Sequence, residues 1–210
     1  MMEVYQEGYN MNDFVDRLSS AEPTPGGGGA AALCGALSSA LCNMVCNLTT
    51  GKKKYAEYQP EIDELLKSIP KMTKHLMDDI EKDAEAFKPL AKAYSLSKDT
   101  PGYSDIMEEA TVNAAKAPLE ITRDIYALVP VIERLSVIGS RLAVSDVACA
   151  STILKAAIES SVMNIYINTG SMRNRELAIS MNTEAKNMVE DTVSRMDAVY
   201  SEIMEALWKN

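Results

Sequence analysis

Histidine is nearly missing from this chain: His75 is the only one in 210 residues. A Ser-His-Asp triad needs a histidine beside its nucleophile, and His75 falls on the flank of its helix; a multi-histidine zinc site is out of reach altogether. No metal is expected. The four cysteines, Cys34, Cys42, Cys46 and Cys149, form no Cys-x-x-Cys pair, and the His-x-Glu with Pro-Cys-x-x-Cys pattern of zinc deaminases is absent. All four sit in apolar helical stretches and read as reduced core residues. Basic residues are the minority, 21 against 30 acidic, for a net charge of −9. That excludes a duplex nucleic-acid binder, which needs a basic face, and gives no support to a membrane anchor. The start, Met1-Met2-Glu3-Val4-Tyr5-Gln6-Glu7, has neither basic leader nor apolar signal core, so a cytoplasmic protein is expected.

Charge itself is missing from Pro23 to Gly51. The stretch opens Pro23-Thr24-Pro25-Gly26-Gly27-Gly28-Gly29, continues as a small-residue helix from Ala30 to Leu48, and ends just before Lys52-Lys53-Lys54-Tyr55. Two prolines set an extended approach, and four glycines permit φ > 0 and close approach to a neighbour. A helix that starts behind such a loop leaves its first N–H groups for an anionic or carbonyl-bearing ligand, or the loop is simply a cap. Neither phosphate-loop pattern is met: no Gly-Lys-Ser/Thr follows the glycines, and no strand precedes them. The helix approaches the length of a membrane span. Its Ser38, Ser39, Asn43 and Asn47, its many alanines and its lack of Trp or Tyr favour a helix buried in a bundle instead.

Turn signals divide the chain into long helical blocks, which gives an all-α, multi-helix bundle with buried central helices as one domain over 1–210. Phe14, Val15 and Leu18 mark a short lead-in helix. A block from about Pro60 to Ser97 precedes the break Lys98-Asp99-Thr100-Pro101-Gly102. Ser104 to Val129 follows with Pro118 inside, expected to kink or interrupt it. Pro130 starts another segment that Gly139 divides, and a nearly uncharged helix runs to Thr169. Gly170 ends that helix, and Ser171 is the expected cap of the last. Two helices apolar nearly all round exceed what a monomer of this size readily buries, so an oligomer sharing the core is expected.

Two carboxylates stand where charge is costly. Leu65, Ile69, Met72, Leu76, Ile80, Phe87, Leu90 and Tyr94 form one stripe at ~100° per residue, and Asp83 projects into its middle, with Asp79 at the edge one turn earlier. An aspartate on an apolar face must be paired, hydrogen-bonded or functional. Asp146 is the second case: between Leu142 and Ile158 the charged residues are Asp146 and Lys155. At helical spacing Asp146, Ala150, Ile153, Ala157 and Asn164 share one line, which suits either close helix packing or room for a flat ligand. Lys52, Lys53 and Lys54 form a local positive spot in a negative protein, read as a ligand contact or as a solvated cluster.

Thr24-Pro25-Gly26-Gly27-Gly28, Met44-Val45-Cys46-Asn47-Leu48-Thr49, Gly51-Lys52-Lys53-Lys54-Tyr55, Asp83-Ala84-Glu85-Ala86-Phe87 and Ser145-Asp146-Val147 together resemble the cyclodeaminase/cyclohydrolase family, in the family's order and over nearly the whole chain. That family includes formimidoyltetrahydrofolate cyclodeaminase domains and stand-alone methenyltetrahydrofolate cyclohydrolases. Gly29 departs from it, since serine often follows the three glycines there. The resemblance implies an all-helical fold, homodimerisation and a tetrahydrofolate ligand as substrate, with no separate cofactor.

What the resemblance implies fits the residues already singled out. Hydrolysis of 5,10-methenyltetrahydrofolate adds water to an amidinium carbon and opens the ring to 10-formyltetrahydrofolate; cyclodeamination of the 5-formimino compound closes a ring at the same carbon and expels ammonia. Asp83 is the expected base and electrostatic partner of the cation, and Asp146 a second proton-transfer group or a grip on the pterin. Pro25, Gly26, Gly27, Gly28 and Ser145 are expected to contact substrate, and Lys52, Lys53 and Lys54 to attract a glutamate or polyglutamate tail. A 210-residue chain without a fused transferase favours the cyclohydrolase over the cyclodeaminase. A non-enzymatic helical interaction protein is the alternative from another class, in which both aspartates are structural.

Overall fold

The computed structural model describes residues 10–209, and the N-terminal residues read above for a leader lie outside that range. Among the described residues the regular structure is helical: α1 (Met11–Leu18), α2 (Gly27–Thr49), α3 (Gln59–Tyr94), α4 (Tyr103–Tyr126), α5 (Val129–Ile138), α6 (Val144–Ser171) and α7 (Arg175–Trp208), with short 3₁₀ turns at Lys53–Tyr58 and Arg141–Ala143. α2 is the central helix, flanked by α3 and α6; α4 closes the gap between α3 and α6, and α7 covers the outer side of α6.

Small side chains set this arrangement. On α2, Gly35 lies so close to Ile125 and Leu76 that a Cβ would stand 2.9 Å from Ile125 Cγ1. Two serines on the same helix are fully buried, and both are satisfied across it: Ser38 Oγ donates to Ala150 O (2.8 Å), and Ser39 Oγ lies 2.8 Å from Thr73 Oγ1. Such bonds make small polar residues tolerable in a helix core. Around them Leu76, Ile125, Leu135, Leu154, Ile158 and Ile165 complete the apolar interior. α2 is also long and apolar enough to cross a membrane, but over half of its apolar window is buried inside the bundle, as the serine and asparagine content predicts.

Several sequence expectations are corrected. The glycine run is not a loop with positive φ: Gly27, Gly28 and Gly29 are the first turn of α2, Gly26 is its N-cap, and the positive-φ glycines among the described residues are Gly51 and Gly102. Pro118 does not interrupt α4, and Pro70 and Pro89 are carried inside α3. The cap of α7 is Asn174, whose side chain accepts from Leu177 N, rather than Ser171, which still belongs to α6. Cys42 and Cys46 are core residues, with burial pushing their thiols up to about 12 and about 11, but Cys34 is only half-buried and Cys149 is exposed.

Candidate functional site

The N-terminus of α2 meets α3 at a point where no side chain fits. A Cβ on Gly28 would stand 2.4 Å from Asp83 Oδ2 and 2.6 Å from its Oδ1, so the glycine lets the carboxylate lie directly against the helix backbone. Close approach, not φ freedom, is what this glycine supplies. The Gly29 N–H donates to the Asp83 carboxylate, so a first-turn amide that the helix itself cannot satisfy finds a partner. Gly29 itself is not crowded: its nearest neighbours would be 3.5 Å from a Cβ, so the position has room for the serine often found there.

Asp83 lies on the wall of a cleft of about 150 Å³ lined by Thr24, Gly27, Gly28, Phe87, Asn164 and Asn168, with Pro23 and Ile167 also on its lining. Burial pushes its carboxyl up to about 6; the Gly29 bond pulls the other way, and the negative charge of Asp79 adds to the rise. A base with such a value is ionised at neutral pH and can still take a proton, which suits general acid–base work.

Two asparagines from α6 supply the opposite wall. Asn164 Nδ2 donates to Ser160 O, and Asn168 Nδ2 donates to Ala114 O and Asn164 O. Asn168 spends both amide hydrogens on backbone carbonyls and offers a ligand its Oδ1 acceptor, whereas Asn164 spends one and can offer its Oδ1 acceptor and one N–H. Phe87 supplies an aromatic ring. Sequence reading placed Phe87 in a core stripe and Asn164 only on a line, and it missed Asn168. The available signal was a pair of amides spaced i, i+4 on an otherwise apolar helix.

The other expected site residues gather elsewhere. α6 runs antiparallel to α2, since Gly27 faces Asn164 and Ser38 reaches Ala150. The start of α6 therefore lies at the far end of α2, a separation of ~30 Å from the glycine turn over 23 residues. At that end Lys52 Nζ donates to Ser140 Oγ (3.2 Å), Tyr55 Oη accepts from Arg141 N (2.9 Å), and Lys54 lies over the Tyr55 ring. Ser145 and Asp146 belong to the first turn of α6 there, Ser145 exposed and Asp146 half-buried. Lys54 and Arg141 line a cleft of about 390 Å³ with Glu202 and Leu207. Within one chain the structure brings Pro25, Gly26, Gly27, Gly28 and Asp83 together, and Lys52, Lys53, Lys54, Ser145 and Asp146 together, but not the two groups with each other.

Asp79, placed by sequence at the edge of the stripe, is the more buried of the two neighbouring carboxylates. Its Oδ1 accepts from Lys82 Nζ (2.7 Å), while its Oδ2 has no N–H donor and faces Asp124 of α4. The Asp124 carboxyl is pushed up to about 6 by burial and by the neighbouring Asp79 carboxylate. His75, Lys82 and Glu120 line the same small groove, which is separate from the glycine cleft.

The sequence profile described as formiminotransferase-cyclodeaminase matches residues 10–187. The chain belongs to this family. It is 32% identical to the methenyltetrahydrofolate cyclohydrolase of Methylorubrum extorquens, covering 90% of this chain and 93% of that protein. The formimidoyltransferase-cyclodeaminase of Sus scrofa is 26% identical across 90% of this chain, but the match spans 37% of that longer protein. Among solved structures, the formiminotetrahydrofolate cyclodeaminase of Thermotoga maritima superposes with a TM-score of 0.82 at 27% identity, covering 93% of this chain and 98% of that one. The proteins matched within the family are enzymes of folate one-carbon chemistry.

Proposed function

We propose that the chain is a methenyltetrahydrofolate cyclohydrolase, converting 5,10-methenyltetrahydrofolate and water to 10-formyltetrahydrofolate. The observation that carries the reading is the Asp83 carboxylate, half-buried against the first turn of α2 and raised to about 6. The similarity to a cyclohydrolase over nearly the full length of both proteins supports it.

The substrate carbon is part of a flat amidinium cation. An ionised Asp83 stabilises that charge, accepts a proton from the water that adds to the carbon, and returns it to N5 as the ring opens, while the remaining hydroxyl proton is released to solvent as the formyl C=O forms. The Gly29 N–H holds the carboxylate in place during both transfers. Asn164 and Asn168 offer acceptors suited to the amino and ring N–H groups of a pterin, and Phe87 offers a face for the ring. Lys52, Lys53 and Lys54 suit the carboxylates of a glutamate or polyglutamate tail. The protein acts as a homodimer, a reading supported by the uncovered apolar sides of α2 and α6.

Loss of methenyltetrahydrofolate absorbance, followed against a buffer blank that corrects for spontaneous hydrolysis, tests the proposal. A rate equal to the blank at micromolar protein overturns it. The 0.82 superposition on a cyclodeaminase favours one competing activity. Release of ammonia from 5-formiminotetrahydrofolate, with no catalysed hydrolysis of the methenyl compound, would establish that reading instead.

A further inference from the structure

The groove between α3 and α4 holds a second group of acids, outside the glycine cleft. His75, Asp79 and Lys82 follow one another on α3 by four and three residues, and Glu120 and Asp124 lie four apart on α4, so each set shares one side of its helix. The two sides face each other across a space of about 300 Å³, the lower end of the sizes that take a small molecule. Asp79 is 3% exposed, and its Oδ1 accepts from Lys82 Nζ at 2.7 Å. Its Oδ2 is buried without a donor and lies against Asp124. A buried carboxylate oxygen left unpaired is costly, so this one is a place for a hydrogen-bond donor.

Charge in the groove is unbalanced as well. Lys82 is committed to Asp79, and the Arg123 guanidinium is divided between Glu120 and Glu184. With His75 neutral, Asp79, Asp124 and Lys82 leave one negative charge uncompensated. A proton removes it below about pH 6, where the Asp124 carboxyl titrates; at neutral pH the charge stands. Water would give Oδ2 a hydrogen bond but no charge. A divalent ion would reverse the sign, and among the described residues no three of His, Cys, Asp or Glu are arranged to hold a metal. A monovalent cation with N–H donors meets both needs. Lys82 already shows the chemistry: its side chain is 63% exposed, yet its ammonium reaches in from solvent to an acid whose side chain is 4% exposed. Ala117 and the buried Ile121 add an apolar floor on which an alkyl chain can lie.

We propose that this groove binds a primary ammonium group, carried by an aliphatic amine or as the free ion, seated between Asp79 Oδ2 and the Asp124 carboxylate. The group donates an N–H to each acid and brings the single positive charge that they lack. Its occupancy reaches the glycine cleft, because Asp79 stands one turn from Asp83 and its negative charge is part of what raises that carboxyl. An ammonium on Asp79 offsets this charge, so Asp83 stays ionised to lower pH. The link to Asp83 rests on the proposed function, and the binding site does not.

Calorimetric titration of the full chain at pH 7.5 tests the site, with n-butylammonium, ammonium and tetramethylammonium chlorides as probes and sodium chloride holding the ionic strength constant. Saturable binding of n-butylammonium at one site per chain, with millimolar affinity, is expected. Tighter binding of n-butylammonium than of ammonium identifies an alkylamine as the ligand, and equal binding identifies the free ion. Tetramethylammonium has the charge but no N–H and is expected not to bind. Asp79→Asn and Asp124→Asn should each weaken n-butylammonium by at least ~10-fold, the scale of a lost charge-assisted bond. Asp124 is the more exposed acid, so its variant decides the matter if Asp79→Asn does not fold. Lys82→Ala removes the resident ammonium and should strengthen binding by about fivefold, since exposed ion pairs are worth ~1 kcal/mol or less. No heat beyond the sodium chloride control, equal binding of tetramethylammonium, wild-type affinity in Asp124→Asn, or weaker binding in Lys82→Ala overturns the proposal. The link to Asp83 is read separately: saturating n-butylammonium should move the acidic limb of kcat/KM to lower pH, and an unmoved limb overturns that link. Should wild-type protein fail to hydrolyse methenyltetrahydrofolate, the functional reading falls, and calorimetry still decides the site.

Discussion

Asp79 and Asp83 lie one turn apart on α3, yet Asp79 is 3% exposed, tied to Lys82 and set against Asp124, whereas Asp83 opens into the cleft behind the glycine turn. Both sit on a helix side where charge is costly, and the bundle resolves the cost differently. Asp79 is compensated by an ammonium and by a neighbour that can be protonated. Asp83 receives one backbone N–H and no cation, so it keeps a raised carboxyl and room for a ligand. A buried carboxylate alone is therefore a poor guide to chemistry; what it faces decides. A pairing partner points to structure, and an open cleft with unspent acceptors points to catalysis.

The strongest way to break the comparison is to remove each acid in turn. Asp83→Asn keeps the shape of the side chain and is expected to lower turnover by at least ~100-fold, the scale of a lost general acid–base group. Near-normal turnover in folded protein would take Asp83 out of the mechanism. Its pH dependence follows from the raised carboxyl: wild-type kcat/KM should fall as pH drops through about 6, where Asp83 protonates. Stability runs the other way. A folded-state value of about 6 against an ordinary 3.8 means that the fold favours the protonated acid, so this contribution is present below about pH 4 and is lost as pH rises through about 6. Asp83→Asn should consequently melt higher than wild type at pH 7.5, by on the order of 1–3 kcal/mol, and show little difference at pH 4. A variant that unfolds instead would mark Asp83 as a structural partner.

Gly28→Ala attacks the same side of the comparison from the backbone. The new methyl would meet the Asp83 carboxyl at 2.4 Å, so the acid must turn away from the helix. Misplacing a catalytic group by about 1 Å costs up to ~100-fold, and a loss of about 10- to 100-fold in turnover is expected. Alanine is a better helix residue than glycine by ~1 kcal/mol, which offsets part of the packing cost. Activity should therefore fall much further than the melting temperature, and an equal decline in both would show that the glycine is only a packing residue.

How far these sites were legible beforehand depends on which helix pairs carry them. The helices themselves could be read from apolar spacing, and Asp83 from its position within the Ile80–Phe87 stripe. The glycine run was misassigned as a loop because helix propensity argues against three glycines in a first turn, while the reason for Gly28, contact with an acid 55 positions away, is tertiary. Asp79 could not be told from Asp83 by spacing, because its partner Asp124 lies on another helix. Asp146 and Asn164 do share a line on α6, but 18 residues of helix hold them ~27 Å apart. Spacing reports direction around a helix and is silent about which end meets which neighbour.

Asp124→Asn sharpens the comparison from the structural side. The Asp124 carboxyl is raised to about 6 by burial and by Asp79, so removing its charge should stabilise the protein above pH 6 and leave turnover within about twofold. In the same series Asp79→Asn removes a negative charge that raises Asp83, and the acidic limb of kcat/KM should move to lower pH. A large loss of turnover in the Asp124 variant would mean that the two acids serve one site after all.

The smallest expected effect concerns the cationic end. Replacing Lys52, Lys53 and Lys54 together by alanine should weaken binding of a polyglutamylated folate more than that of the monoglutamate, by about fivefold at low salt, since exposed ion pairs are worth ~1 kcal/mol or less. Lys53 and Lys54 are exposed and Lys52 is half-buried beside Ser140, so most of their attraction acts through solvent. Beyond a Debye length of ~10 Å at 0.1 M salt it is screened, and the preference for the longer tail should shrink as ionic strength rises. Calorimetric titration of both ligand forms at two salt concentrations measures this. Equal loss for both forms, insensitive to salt, would instead put one lysine at the pterin or the reacting carbon, and unchanged binding of both would leave the three as a solvated cluster at the end of α2.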